Sequence, residues 1–600
     1  MEASENLMGD AKPFRRYRRM PSFRLRDRTW PDKCIERAPR WLSTDLRDGN
    51  QALPEPMNPE RKLRMFELLT RMGYKEIEVG FPAASRDDFE FVRLLIGKDL
   101  IPRDVRISVL TPARSELIDR TIESLAGAHS ATVHLYNATA PFFRRVVFGV
   151  DRDACLAMAT RAAARVMRAA ARLDGCELGL EYSPEVFTET EPEFALEVCA
   201  AVSGLWQPGP GREIILNFPA TVERTTPNVF ADRIEWLSRQ LPRRAHTCLS
   251  VHPHNDRGTG VAAAELAMLA GAERIEGCLF GHGERSGNVC LVTLGMNLLS
   301  HGVDPGIDFS SLDGVRRTVA ECTGIPSHPR HPYAGELVYT AFSGAHQDAI
   351  KKGFDEMAQV AAASGVNESQ LCWDMPYLPI DPKDVGRGYE AVIRVNSQSG
   401  KGGVGYVLKS AHGFDLPKAL QTEFSTAVQA AAEDSGTEIP SERLWRLFDS
   451  EYLLSEPVAA LLVRIGAQHS ATSVEELTDR LLALKSRLAA RGGADVAYFT
   501  DRVAAEITSL GVPAEVLQTH SQVLERSGQT VVYARCLVRF PTWGVGVARS
   551  TVDASLKAVL AAVIRAYQAH DEEGKPLVVP RARTRERDDD RDLSLCGDRS

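Results

Sequence analysis

Two histidines one residue apart, in Val251-His-Pro-His-Asn-Asp256, carry the strongest chemical signal in this chain. Side chains at i and i+2 of a strand leave the same face, so His252 and His254 can address one ion while Pro253 points away. Two more polar clusters accompany them, Arg47-Asp-Gly-Asn-Gln51 and Gly281-His-Gly-Glu-Arg-Ser-Gly-Asn288. Asp48 offers a hard anionic oxygen and Asn288 a neutral one, a mixed nitrogen and oxygen set suited to Mg, Mn or Zn with room for substrate oxygens. A lone His-x-His is ordinarily a satisfied core or loop pair. Three clusters at three strand ends outweigh that reading.

The elements that must position them form a repeating pattern. Between Trp41 and Gly302 short β-rich runs alternate with helical patterns eight times. The predicted strands are Trp41–Leu46, Glu76–Phe81, Val105–Thr111, Ala131–Tyr136, Glu177–Tyr182, Glu213–Phe218, Thr247–His252 and Arg274–Phe280. Asn58-Pro59 opens the first helix with a cap residue and a proline at the first helical position. Eight such units predict a closed (β/α)8 barrel, and every polar cluster falls at a strand's C-terminal end, where such barrels put their chemistry.

Six hundred residues, 44% hydrophobic and 25% charged, describe a globular chain of two or more domains. Residues 1–32 read as an arginine-rich, solvated arm and 33–310 as the catalytic barrel. Residues 311–450, with Pro-rich joints, read as linker subdomains. Residues 451–570 read as a small α+β domain with helices at Glu475–Arg491 and Ala504–Leu510 and a strand at Val531–Phe540, and 571–600 as a disordered tail. A net charge of −8 gives no nucleic-acid signal, and no apolar run has membrane length. Eleven cysteines lack any C-x-x-C pair, and Cys155, Cys199, Cys278 and Cys290 lie in apolar patterns, which together predict a reducing cytoplasm.

A metal at a barrel mouth serves hydrolysis, aldol cleavage, decarboxylation or Claisen chemistry alike. Arg47 is placed to stabilise charge developing on a carbonyl oxygen. Glu185 and Thr221, each following another strand, could fix a small carboxylate or 2-oxo acid; the alternative for Arg47 and Glu185 is a salt bridge shaping the rim. The stretches Asp45-Leu-Arg-Asp-Gly-Asn-Gln51, Tyr74-Lys-Glu-Ile-Glu-Val-Gly-Phe-Pro82, His252-Pro-His-Asn-Asp256 and Gly283-Glu-Arg-Ser-Gly-Asn288 narrow the choice. So do His331-Pro-Tyr333, Tyr339-Thr-Ala-Phe-Ser-Gly-Ala-His-Gln-Asp-Ala349 and the run from Tyr389 to Gly403. With these, the chain from about Phe14 to Leu453 resembles the long, actinobacterial-type 2-isopropylmalate synthases of the DRE-TIM metallolyase superfamily, built on a TIM barrel.

The resemblance implies a Claisen-type condensation of acetyl-CoA with 3-methyl-2-oxobutanoate to 2-isopropylmalate and CoA, in leucine biosynthesis. It implies a divalent metal held by Asp48, His252, His254 and Asn288, with a monovalent cation as activator. Substrate would lie against His134, Tyr136, Ser183, Asn217 and Thr221, with Arg47 neutralising the alkoxide and Glu185 beside it. The base matches His346, supported by Glu284 and Tyr377 and lent by the partner subunit of a homodimer; position alone would instead have His346 cap a helix. Another alkylmalate, citramalate or homocitrate synthase is the alternative activity.

Three departures accompany the likeness. His282 stands where the family has Asn or Ile, either facing solvent or adding a titratable group beside the site. Thr139-Ala-Pro-Phe-Phe143 is bulkier than the family's segment, which would alter the acceptor pocket. In the C-terminal domain Thr542–Ala548 and Ala554–Ala558 match the second of two β-rich regulatory repeats, but Ser473–Leu488 reads as a helix where the first should stand, with Arg491-Gly-Gly-Ala494 in place of a leucine-binding turn. Feedback by leucine is therefore expected to be weak or absent.

Overall fold

The computed structural model describes residues 23–388, 401–435, 439–453, 474–491, 495–524 and 527–568, together with Phe14, Tyr17 and Met20. The predicted tail, the run 389–400 and the glycine turn at 492–494 lie outside the described residues. The chain divides into two compact units, Met1–Thr340 with Leu378–Tyr389, and Ala341–Tyr377 with Glu390–Ser600.

The first unit is a closed parallel barrel of eight strands: β1 (Arg40–Ser43), β2 (Glu76–Gly80), β3 (Arg106–Pro112), β4 (Ser130–Ala138), β5 (Glu177–Glu185), β6 (Ile214–Ala220), β7 (Thr247–Pro253) and β8 (Arg274–Gly277). Between and after them run α1 (Pro59–Met72), α2 (Arg86–Gly97), α3 (Ser115–Ser124), α4 (Arg152–Ala170), α5 (Pro192–Trp206), α6 (Pro227–Gln240), α7 (Gly260–Leu269), α8 (Leu291–Ser300) and α9 (Leu312–Thr323). β1 closes the barrel on β8, with Trp41 opposite Ile275. The signal that predicted α1 is the one that caps it: the Asn58 side chain accepts the Arg61 N–H at 2.9 Å, and Pro59 follows.

Alternation along the strands assigns the two faces. Ile77, Val109, Val133, Leu216, Val251 and Ile275 are fully buried, as are Leu69, Leu95, Val166 and Leu237 of the helices that cover the sheet. The other face is polar. Arg274 bonds Glu76 of β2, Glu181 of β5 and Glu276 of β8, so these side chains meet inside the barrel.

Two strands end three residues earlier than the sequence reading, while β4, β5 and β6 run on to Ala138, Glu185 and Ala220. β1 stops at Ser43, because Asp45–Gly49 form a π-helical turn that puts Asp48 at the mouth. β8 stops at Gly277, and the chain turns through Phe280 at φ 59°. The arm also departs from expectation: Trp30 is buried, its indole N–H donates to Asp232 at 2.9 Å, and Arg28 pairs with Asp232 at 2.7 Å, so this part lies on α6 instead of in solvent.

The second unit contains α10 (Gly344–Ser364), α11 (Lys401–His412), α12 (Lys418–Ser435) and α13 (Ser441–Phe448), then α14 (Val474–Arg491) and α15 (Val496–Ser509). An antiparallel sheet follows, β9 (Glu515–Val523), β10 (Thr530–Leu537) and β11 (Pro541–Ala548) in the order β11-β10-β9, and then α16 (Thr551–Gln568). One face of the sheet packs Val532 and Ala534 against Leu484, Phe499, Ile507 and Val559; the other packs Val531, Tyr533 and Trp543 against Leu408, Phe424 and Phe448. A Cβ on Gly546 would lie 2.0 Å from the Ala554 carbonyl oxygen, so only glycine lets α16 approach the strand this closely. The helix predicted at Ala504–Leu510 starts earlier, at Val496, where the Asp495 side chain accepts the Tyr498 N–H.

Candidate active site

β7 carries His252 and ends at Pro253, with His254 one residue on. Both rings face the same side, their centroids 5.1 Å apart. Asp48 arrives from the π-helical turn after β1, and Asn288 from the loop before α8, bridged to His254 through the backbone. His252 Nε2 lies 3.3 Å from Asp48 Oδ2 and 3.0 Å from Asn288 Oδ1, and His254 Nε2 lies 3.7 Å from Asp48 Oδ2. All four residues are buried.

This donor set fits a divalent cation. His254 Nδ1 is buried with no hydrogen-bond partner, and ligand atoms of Asp48, His252 and His254 lie within 4.8 Å of one another. Burial works against charge on both rings. Bonds to Asp48 and Glu276 nevertheless push His252 up to about 10, while burial and its charged neighbour push His254 down to about 3. The Asp48 carboxyl is held well below the usual range, burial being outweighed by Arg47 and the two histidines. A divalent ion bound here would take the place of a proton on His252, and the Glu276 carboxylate, 3.0 Å from Nδ1, would fix the tautomer that leaves Nε2 to the ion. His134, Glu181 and Glu276 also converge, but the cation among them is Arg274, 3.1 Å from Glu181 and 2.7 Å from Glu276.

Above these ligands lies a cavity of about 260 Å³ whose lining includes Arg47, His134, Tyr136, Ser183, Glu185, Asn217, Thr221 and Glu284. Phe81, Leu110 and Pro219 form its apolar part. The Thr139–Phe143 segment does not line it: Phe142 is exposed and Phe143 packs on Ala138, Ala140 and Val186, so the bulk expected to alter the pocket lies outside it. A larger cavity, about 1250 Å³, opens at the opposite end of the barrel; it holds paired charges such as Arg106–Glu177 and Arg244–Glu273, and none of the three motifs.

Arg47 does not pair with Glu185. It bonds Glu78 of β2 and Asp48, the latter at 3.1 Å. Burial raises the Glu185 carboxyl above the usual carboxylate range against the pull of Arg47. Glu78 also holds His134 Nδ1 at 2.6 Å, His134 Nε2 meets Ser183 Oγ at 2.7 Å, and Asn217 Nδ2 donates to Ser183 Oγ at 2.9 Å and to Glu276 at 3.2 Å. Candidate metal ligands and pocket residues thus close into one ring: Asp48, His252, Glu276, Asn217, Ser183, His134, Glu78, Arg47. The sequence reading missed Glu78 and Glu276. Their signal was there, in the acid-apolar-acid pattern Glu76-Ile-Glu78 and in Arg274-Ile-Glu276, polar residues at the inward period of a strand.

His282 is half-buried, not solvent-facing, and burial with His331 nearby pushes it down to about 4. His346 and Tyr377 belong to the second unit, where their rings stack 3.9 Å apart, both exposed. His346 lies in the first turn of α10, but Ser343 is the cap position, so the imidazole is not the helix cap. Tyr377 adopts φ 63°, a left-handed backbone costly for a bulky residue.

Residues 38–319 match the HMGL-like family, and residues 336–409 match the alpha-isopropylmalate synthase post-catalytic domain-like family. A 2-isopropylmalate synthase of Thermobifida fusca is 57% identical over 93% of this chain and 98% of its own. That of Streptosporangium roseum is 57% identical over 90% of this chain and 93% of its own, and that of Mycobacterium ulcerans 52% identical over 92% and 100%. With identity this high over nearly the whole length of each relative, the chain belongs to the 2-isopropylmalate synthase family.

Proposed function

We propose that this protein condenses acetyl-CoA with 3-methyl-2-oxobutanoate and water to give 2-isopropylmalate and CoA. The observation that carries the reading is the coincidence of a buried Asp48, His252, His254, Asn288 donor set with a small, partly apolar cavity at the same barrel mouth. A divalent ion held by those four residues, Mg, Mn or Zn, supplies Lewis-acid polarisation of the oxo acid's carbonyl when bound. A monovalent cation acts as a further activator.

The chain's own groups do the rest. Thr221 Oγ1 accepts the Val186 N–H at 3.0 Å, which leaves its hydroxyl proton to donate to the substrate carboxylate. His134, Tyr136, Ser183 and Asn217 complete the walls, and Phe81 and Leu110 offer apolar surface to the isopropyl group. Arg47, anchored on Glu78, stabilises the oxygen that gains charge as the new carbon–carbon bond forms. His346, steadied by Tyr377 and with Glu284 in support, removes the methyl proton of acetyl-CoA. Glu185 stands beside Arg47 as the acid whose raised pKa suits proton transfer at that oxygen. A homodimer in the cytoplasm completes the reading; among the described residues no helix is long and apolar enough to cross a membrane.

Thiol release from acetyl-CoA against a panel of 2-oxo acids tests this. The highest kcat/KM is expected with 3-methyl-2-oxobutanoate. Preference for pyruvate or 2-oxoglutarate, or no thiol release with any acid, overturns it.

A further inference from the structure

Arg285 has been given no task so far, yet three loops meet on it. Its Nε donates to Asp256 Oδ1 at 2.7 Å and its Nη2 to Asp256 Oδ2 at 3.1 Å, a two-point fork onto the loop after β7. The same Nη2 donates to the Thr221 carbonyl at 2.5 Å, on the loop after β6. Arg285 itself sits in the loop after β8, in a turn closed by the Gly287 N–H on the Glu284 carbonyl at 2.9 Å, with φ at 56°. A non-glycine residue persists in that region when its surroundings over-determine it, and such outliers gather at functional sites.

The far side of the same network is equally fixed. Asp256 Oδ2 accepts the Glu223 N–H at 2.9 Å, and the buried Glu223 carboxylate accepts the Arg257 N–H at 2.5 Å and the Thr259 hydroxyl. The Thr221 side chain is held from its other side by the Val186 N–H. Thr221 is therefore held at both its carbonyl and its hydroxyl oxygen, and its hydroxyl proton is left to donate to a ligand. Arg285 also lines the cavity.

We propose that Arg285 is a positioning residue for oxo-acid recognition, which sets the direction of the Thr221 hydroxyl by fastening the Thr221 carbonyl to Asp256. This rests on the condensation reading above. The role belongs to the carboxylate end of the substrate, so it is blind to the oxo acid's side chain and separate from acetyl-CoA.

Arg285→Asn and Arg285→Lys test it with the full-length holoenzyme. Asn tolerates a left-handed backbone, so it removes the guanidinium without releasing the turn. Lys keeps the charge but cannot fork onto Asp256. Both variants are expected to raise the KM for 3-methyl-2-oxobutanoate about tenfold or more, with kcat and the KM for acetyl-CoA changed less than about threefold. Isothermal titration should show the same loss of oxo-acid affinity at unchanged metal content, and the loss should be equal for pyruvate. Asp256→Asn, which weakens the fork from the other side, should act in the same direction. Restoration by Lys would mean charge attraction alone and overturn the proposal, as would an equal fall in kcat and in both affinities, or no change at all. If the wild type itself releases no thiol, the condensation reading fails; if it does and the variants match it, only the role of Arg285 fails.

Discussion

Removing one donor from a buried ligand set leaves the others without the charge they converge on. Asp48→Ala or His254→Ala should therefore reduce condensation to background and lower bound metal per chain by elemental analysis, with the far-UV circular dichroism spectrum retained. Full activity in either variant, or in chelated wild type, would show that the ligands are misassigned. His346→Ala removes the proposed base, which in that reading acts on acetyl-CoA alone. Turnover should drop about 10²-fold or more while calorimetric binding of the oxo acid persists; wild-type turnover would move the search for the base to Glu185. The convergence of Asp48, His252, His254 and Asn288 was legible because its signal is local, an i, i+2 pair and two compact motifs. Their partners Glu78 and Glu276 were less so, since nothing nearby in sequence says that Glu78 meets Arg47 and His134 or that Glu276 meets His252.

At the scale of elements, all eight strands and the cap of α1 could be read from periodicity and punctuation, whereas strand ends could not. β1 and β8 end early where the chain turns and brings Asp48 and Asn288 to the mouth, and that turning is set by contacts between neighbouring strands far apart in sequence, such as the Thr44 N–H on the Gly277 carbonyl at 2.8 Å. The helix predicted over Glu475–Arg491 is present as α14, where the family likeness leads one to expect the first β-rich repeat. Its Leu481, Leu484 and Leu488 are buried in the core shared with α15 and α16, so the helix is a settled part of this unit. A ligand shifts an equilibrium only by binding two states differently, and a helix in place of the first repeat is expected to lack the contact that would do so. Leucine titrated into the condensation assay at sub-saturating oxo acid should inhibit weakly or not at all; sensitive inhibition lost on truncation before Ser473 would show an effector site formed from other residues.

Over the molecule as a whole, the feature least visible in sequence is that the barrel is filled with charge where alternating apolar layers are the norm. Arg274, fully buried, bridges Glu76, Glu181 and Glu276 on three different strands. Deleting one partner of a buried ionic cluster strands the others in low dielectric, so Arg274→Met should cost about 3–5 kcal/mol of stability. Urea unfolding followed by tryptophan fluorescence measures it, and a loss below about 1 kcal/mol would mean that the acids are compensated elsewhere. The same interior constrains how such a protein can diverge. Where a hydrocarbon core accepts one exchange at a time provided volume is kept, a charge-balanced core does not, because each single exchange passes through an unbalanced intermediate. Substitutions at Glu76, Glu181, Arg274 and Glu276 should therefore be tolerated only in compensating pairs, which leaves the centre of the barrel epistatically locked.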